Sequence, residues 1–125
     1  KLKNTNKLSF NLGVDSLTTD KGIGEGDLSP MKGMYWTWNT GYVNFKIEGK
    51  YEGCETRRNK FEFHLGGFLG GYPTSNLVTL NKNKGTITID VEKLIEALDL
   101  KSKCKIMSPG EEASTLMKKI AKTIK

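Results

Sequence analysis

Leu8, Phe10, Leu12 and Val14 alternate with Ser9, Asn11 and Gly13, a two-residue period that predicts a half-buried strand over residues 8–14. The same period recurs from Tyr42 to Glu48, where Val43, Phe45 and Ile47 face one way. It recurs again from Lys60 to Leu65, where Phe61, Phe63 and Leu65 oppose Glu62 and His64. Met34 to Trp38 is rich in aromatic residues and reads as a further strand, bent away from its successor at Asn39-Thr40-Gly41. Leu77–Leu80 and Thr86–Val91 predict two short strands joined as a hairpin by the turn chemistry of Asn81, Asn83 and Gly85. The period then changes. Leu94, Ile95 and Leu98 share a helical face within Glu92–Leu98, and Ala113, Leu116, Met117, Ile120, Ala121 and Ile124 form one stripe of a longer helix. Ser108-Pro109-Gly110-Glu111 supplies that helix with an N-cap serine, a proline at the first position and an acid at the third. The expected fold is mainly β, an antiparallel β-sandwich with a C-terminal α-helix docked on it.

At 125 residues the chain is sized for one domain, residues 1–125. No apolar run approaches the length of a membrane-spanning helix, and no secretory leader is visible at Lys1-Leu2-Lys3-Asn4. The net charge of +6 raises the question of a polyanionic partner. Its lysines cluster at Lys101, Lys103 and Lys105 and at Lys118, Lys119, Lys122 and Lys125. No aromatic residues interleave with them for base stacking, so they read as a solvated face and not as a nucleic-acid site. Asp15–Pro30 reads as a loop. Its Gly22, Gly24 and Gly26 lack the spacing of a phosphate cradle, and Asp15, Asp20, Glu25 and Asp27 lack EF-hand spacing.

Enzyme chemistry finds little support. His64 is the sole histidine, and no serine or cysteine sits in a nucleophile-elbow context. One histidine and two distant cysteines do not make a structural zinc site. No acidic pair lies in an aromatic cleft motif of the glycosidase kind. Cys54 and Cys104 lack C-x-x-C spacing, and leave open one disulfide or two buried thiols. The unusual cluster is GMYWTWNTGY, residues 33–42, which holds both tryptophans. An extended W-x-W would turn Trp36 and Trp38 to one face, where they serve either as a cross-strand packing ladder or as a surface for chemistry.

Four segments appear in order: Leu12-Gly13-Val14-Asp15-Ser16, GMYWTWNTGY, Phe63-His64-Leu65-Gly66-Gly67, and Ile106-Met107-Ser108-Pro109-Gly110 followed by Glu112-Ala113. Together they resemble the MbnP-like family over about residues 8 to 121. That family is named for the periplasmic partner protein of methanobactin operons, and includes surface copper proteins of methanotrophs and lipoproteins of Bacteroidetes-type bacteria. The resemblance implies a β-sandwich, and export to the periplasm or the outer-membrane surface. It also implies a tryptophan that a partner dihaem peroxidase-like enzyme oxidises to kynurenine, which binds copper with histidines.

Carried over by position, the oxidised residue is Trp36 or Trp38, with Trp36 the first choice. The metal-binding set is His64, Trp36 and Met34, whose thioether favours Cu(I). The chain departs from copper-binding relatives in offering one imidazole. The resemblance further implies strands preceding the position of Leu8, so that this chain is the larger C-terminal part of a domain whose upstream segment could carry a lipid anchor. The expected function is an exported copper-handling or redox-associated binding protein, not an enzyme. The alternative is a metal-free interaction module, a surface lipoprotein accompanying a TonB-dependent outer-membrane transporter. Without the resemblance, His64 reads as a strand residue hydrogen-bonded near Glu62.

Overall fold

The computed structural model describes residues 6–36, 40–81 and 86–125. The alternating segments become strands β1 (Lys7–Leu12), β2 (Val43–Lys50), β3 (Lys60–Gly66) and β4 (Asn76–Asn81), joined by a short β5 (Lys105–Ile106). The helices are α1 (Ser16–Asp20), α2 (Val91–Leu98) and α3 (Glu111–Ala121). The strands form two sheets, β1 with β4 and β2-β3-β5 in that spatial order. In the larger sheet β2 and β3 are antiparallel, with Phe45 opposite Leu65 and Ile47 opposite Phe63, whereas β5 runs parallel to β3. The fold is thus mainly strands in two open sheets with a C-terminal helix, and one of its strand pairs is not antiparallel.

The alternation in β3 decides where the core lies. Phe61, Phe63 and Leu65 point inward, and Leu94 and Leu98 of α2 and Leu116, Met117 and Ile120 of α3 cover them. Phe63, Leu65 and Met117 are fully buried. The helical stripe read from the sequence is therefore docked on the sheet, with Ala113 and Ile124 buried beside it. Fully burying such side chains contributes about 1.5–3 kcal/mol each before the entropy of ordering them is subtracted. On β1 and β4, Phe10 faces Val78 and the Ser9 and Thr79 hydroxyls are bonded at 2.9 Å.

Three local expectations are corrected. The hairpin of residues 77–80 with 86–91 is replaced by two non-local pairings: β4 joins β1, and Ile89 bridges Ile124. The amide and carbonyl of Thr88 exchange 2.8 Å bonds with those of Lys125, which closes the C-terminus onto the segment before α2. Residues 82–85, the supposed turn, lie outside the described residues, as does Trp38 of the strand expected at 34–38. The loop over residues 15–30 contains a five-residue helix because Asp15 caps it, accepting from the Thr18 amide at 2.8 Å. That bond is the main reason the Asp15 carboxyl lies below its ordinary range. Finally, α3 begins at Glu111 with Gly110 at its N-cap, not with Ser108 capping and Pro109 inside. Pro109 is committed to a contact with Gly67 instead.

Cys54 and Cys104 are joined in a disulfide across 50 residues. It ties the turn after β2 to the segment entering β5, and Cys54 is part of the core. A cross-link closing a loop of that length removes about 4 kcal/mol of denatured-state entropy. Replacing both cysteines by alanine is expected to lower the unfolding free energy by about that amount in urea titrations, without changing the strand register. Met117→Ala is expected to cost about 2–5 kcal/mol, because the surrounding helix and sheet cannot collapse into the void.

Candidate functional site

The four motif segments, scattered along the chain, meet at one end of β2 and β3. Gly66 and Gly67 allow this. A Cβ on Gly66 would run into the Tyr42 carbonyl oxygen and lie 2.8 Å from Val43 Cα. Gly67 takes φ +78° and would bring a Cβ to 2.9 Å from Pro109 and 3.1 Å from the Thr40 carbonyl. The Gly67 amide donates to the Tyr42 carbonyl at 3.2 Å. The end of β3 is thereby sandwiched between the aromatic segment and the approach to α3.

A polar relay fastens the first motif to the same point. The register of β2 slips between Val43 and Phe45, which frees Asn44 from the ladder. Its side-chain carbonyl accepts from the Val14 amide at 2.8 Å, and its amide nitrogen donates to Thr74 Oγ1 at 2.8 Å. Thr74, fully buried, donates in turn to the Gly67 carbonyl at 2.8 Å. Ser114 of α3 donates to the Pro73 carbonyl at 2.7 Å. Among the described residues no buried side-chain polar atom is left without a partner.

Out of this frame runs the aromatic segment. Tyr35 and Tyr42 form an isolated antiparallel bridge, their rings edge to face at 4.9 Å. The Val43 amide donates to the Met34 carbonyl at 2.9 Å, and the Trp36 amide to the Gly41 carbonyl at 3.0 Å. Met34 and Trp36 are half-buried. Tyr42 is almost wholly buried, and its hydroxyl accepts from the Gly24 amide at 2.9 Å and donates to the Leu28 carbonyl at 3.0 Å. It therefore anchors the glycine-rich loop. Sequence reading missed this role, although glycines spaced by two were the signal that a side chain could approach that backbone closely.

His64 sits on the outer face of β3, opposite Lys46 of β2. Its Nε2 lies 2.6 Å from Glu48 Oε1, which Lys46 Nζ also approaches at 3.7 Å. Glu48, across the ladder, is thus the partner, and not Glu62, which pairs with Lys105 at 3.8 Å. The hydrogen bond from His64 is the leading cause that holds the Glu48 carboxyl below its ordinary range, with Lys46 adding to it. Met34–Trp36 pairs along the edge of β2 that faces away from β3. The backbones of the two segments are consequently about two strand spacings apart, roughly 10 Å. Among the described residues, no three His, Cys, Asp or Glu side chains are grouped as a metal site.

Thr74→Val keeps the shape but leaves the Asn44 side-chain amide without its acceptor and the Gly67 carbonyl with the Thr74 backbone amide alone, and is expected to destabilise by about 1–3 kcal/mol in chemical denaturation. The Glu48 carboxylate contributes stability that is present above the ordinary glutamate range and is lost as pH falls through its lowered folded value. In an NMR titration Glu48 should protonate below that range, and His64→Ala should bring it back up.

No curated protein and no solved structure matches the chain. None of its described helices is long and apolar enough to cross a membrane. The MbnP family model matches residues 1–111, which takes in the first three motifs whole and the fourth up to the start of α3. With that match over most of its length, the chain belongs to the MbnP family.

Proposed function

We propose that this is an exported, copper-related protein whose W-x-W segment is a substrate for oxidation by a partner dihaem peroxidase-like enzyme. The observation that carries this reading is the convergence of the motif segments on the backbone that presents Trp36. Gly41 and Val43 hold that segment by hydrogen bonds, Gly67, Asn44 and Thr74 fix the stretch of chain they belong to, and Trp36 itself stays half-buried at an edge and outside the main core. Trp36 is the first candidate for conversion and Trp38 the second. Membership in the MbnP family supports the association with copper and methanobactin. The Cys54–Cys104 disulfide suits an oxidising compartment, and so supports a periplasmic or cell-surface location. On the same reading the two sheets belong to one β-sandwich, with α3 packed against β3 of one sheet and β4 of the other.

The donor types fit copper: an imidazole, a thioether, and the carbonyl and aniline amine that kynurenine exposes. Their placement divides them, because His64 faces Glu48 while Met34 and Trp36 lie along the other edge of β2. With Nε2 held by Glu48, His64 has Nδ1 left to offer a metal. The divided placement favours a second reading, in which the motif frame serves packing and the protein is a metal-free surface module beside a TonB-dependent outer-membrane transporter.

Conversion of tryptophan to kynurenine adds two oxygens across the C2–C3 bond, supplied by dioxygen or peroxide through the partner enzyme, and hydrolysis by one water then releases C2 as formate, a net gain of about 4 Da. Peptide mass spectra of protein expressed with its partner enzyme should show that increment at Trp36 or Trp38. Unmodified tryptophans in such cells would remove the oxidation reading. Copper titration then separates the two functions: stoichiometric binding abolished by His64→Ala is expected on the first, and no binding on the second.

A further inference from the structure

Away from the motif frame, a cleft of about 340 Å³ is lined by Thr56, Arg57, Arg58, Lys60, Glu62 and Lys105. That volume lies at the lower end of the range for small-molecule sites. Four cations and one carboxylate face it, a local charge of +3 by difference. Glu62 is engaged by Lys105 at 3.8 Å. Among the described residues Arg57, Arg58 and Lys60 make no ion pair. Like charges gathered in this way repel each other, and a bound anion would relieve that repulsion.

The backbone beneath them is held in an unfavourable shape. Arg58 takes φ +62° and Asn59 φ +54°, two successive residues in the left-handed region. Asparagine tolerates that conformation, whereas for arginine it costs on the order of 1 kcal/mol. The turn is secured on three sides: the Thr56 hydroxyl donates to the Lys60 carbonyl, the Asn59 amide to the Thr56 carbonyl at 3.0 Å, and the Tyr51 amide to the Asn59 carbonyl at 2.9 Å. The Cys54–Cys104 disulfide ties the two parts of the cleft together, Cys54 standing two residues before Thr56 and Cys104 immediately before Lys105. A pre-set turn that carries Arg57, Arg58 and Lys60 to the same concavity as Lys105 of β5 loses little further backbone freedom when an anion arrives.

We propose that this cleft binds a phosphate-bearing anion, with Arg57 and Arg58 supplying forked donors and Lys60 and Lys105 point charges. Pyrophosphate titrated into the whole chain, followed by NMR at low salt, should shift the amides of Thr56 to Lys60 and of Lys105 saturably. The apparent affinity should fall as salt rises. Arg57→Ala with Arg58→Gly should weaken binding at least tenfold while leaving the thermal midpoint unchanged or higher, because glycine relieves the left-handed strain. Lys118→Ala with Lys119→Ala, on the separate lysine face of α3, should leave binding unaltered. In a parallel arm, sedimentation with vesicles of phosphatidylglycerol against phosphatidylcholine tests a lipid headgroup as the source. Binding of pyrophosphate alone identifies a soluble phosphate, and binding to anionic vesicles alone a membrane surface. No saturable shift together with no vesicle binding, or equal binding by the Arg57/Arg58 variant, overturns the proposal.

Discussion

The close approach of backbone to backbone at the end of β3 is the constraint on which the rest of the structure rests. Where Gly66 and Gly67 stand, the chain has no Cβ to hold Tyr42, Val43 and Pro109 away. The gap they leave is filled on one side by the aromatic segment and on the other by the turn into α3. Any larger residue would push these apart, and with them the bulge at Asn44 and the relay through Thr74. The hydrophobic face of β3 drives burial, but it is indifferent to which loops meet at the end of the strand. The glycines and the polar relay are what make that meeting specific.

Two faces of the same strands do different work. Inward, Phe61, Phe63 and Leu65 make the floor on which α2 and α3 lie. Outward, Lys46, Glu48, His64, Glu62 and Lys105 form a polar row, in which Lys46 and Glu48 pair along β2 while His64 reaches Glu48 and Lys105 reaches Glu62 across the ladder. Exposed pairs of this kind add little to stability. Their effect is to fix protonation and orientation, as the lowered Glu48 carboxyl shows. The row ends at the cationic cleft, where the supply of carboxylates runs out and Arg57, Arg58 and Lys60 remain.

The lone histidine illustrates why a residue's chemistry can be read before its role. Its type and its place in a strand with Glu62 on the same face both suggest a carboxylate partner. Yet Glu62 and Glu48 compete for that position, and the pairing of β2 with β3 gives it to Glu48. A resemblance of motifs groups His64 with Trp36 and Met34. The register instead sets β3 on one edge of β2 and the aromatic segment on the other.

The sequence by itself determined what depends on neighbours a few residues away. Alternation set strands β1 to β3, a short apolar run set β4, and the apolar stripe set α3 and the face it buries, because these patterns follow from local backbone geometry. The motif order also carried the family. Only the tertiary structure decided what depends on partners far along the chain. It joined β4 to β1 and not to the next segment, drew Ile89 to Ile124, and closed Cys54 on Cys104. It also moved the start of α3 past Pro109. Each of these turns on which distant surface offers a matching edge, thiol or gap, and local spacing contains no record of that choice.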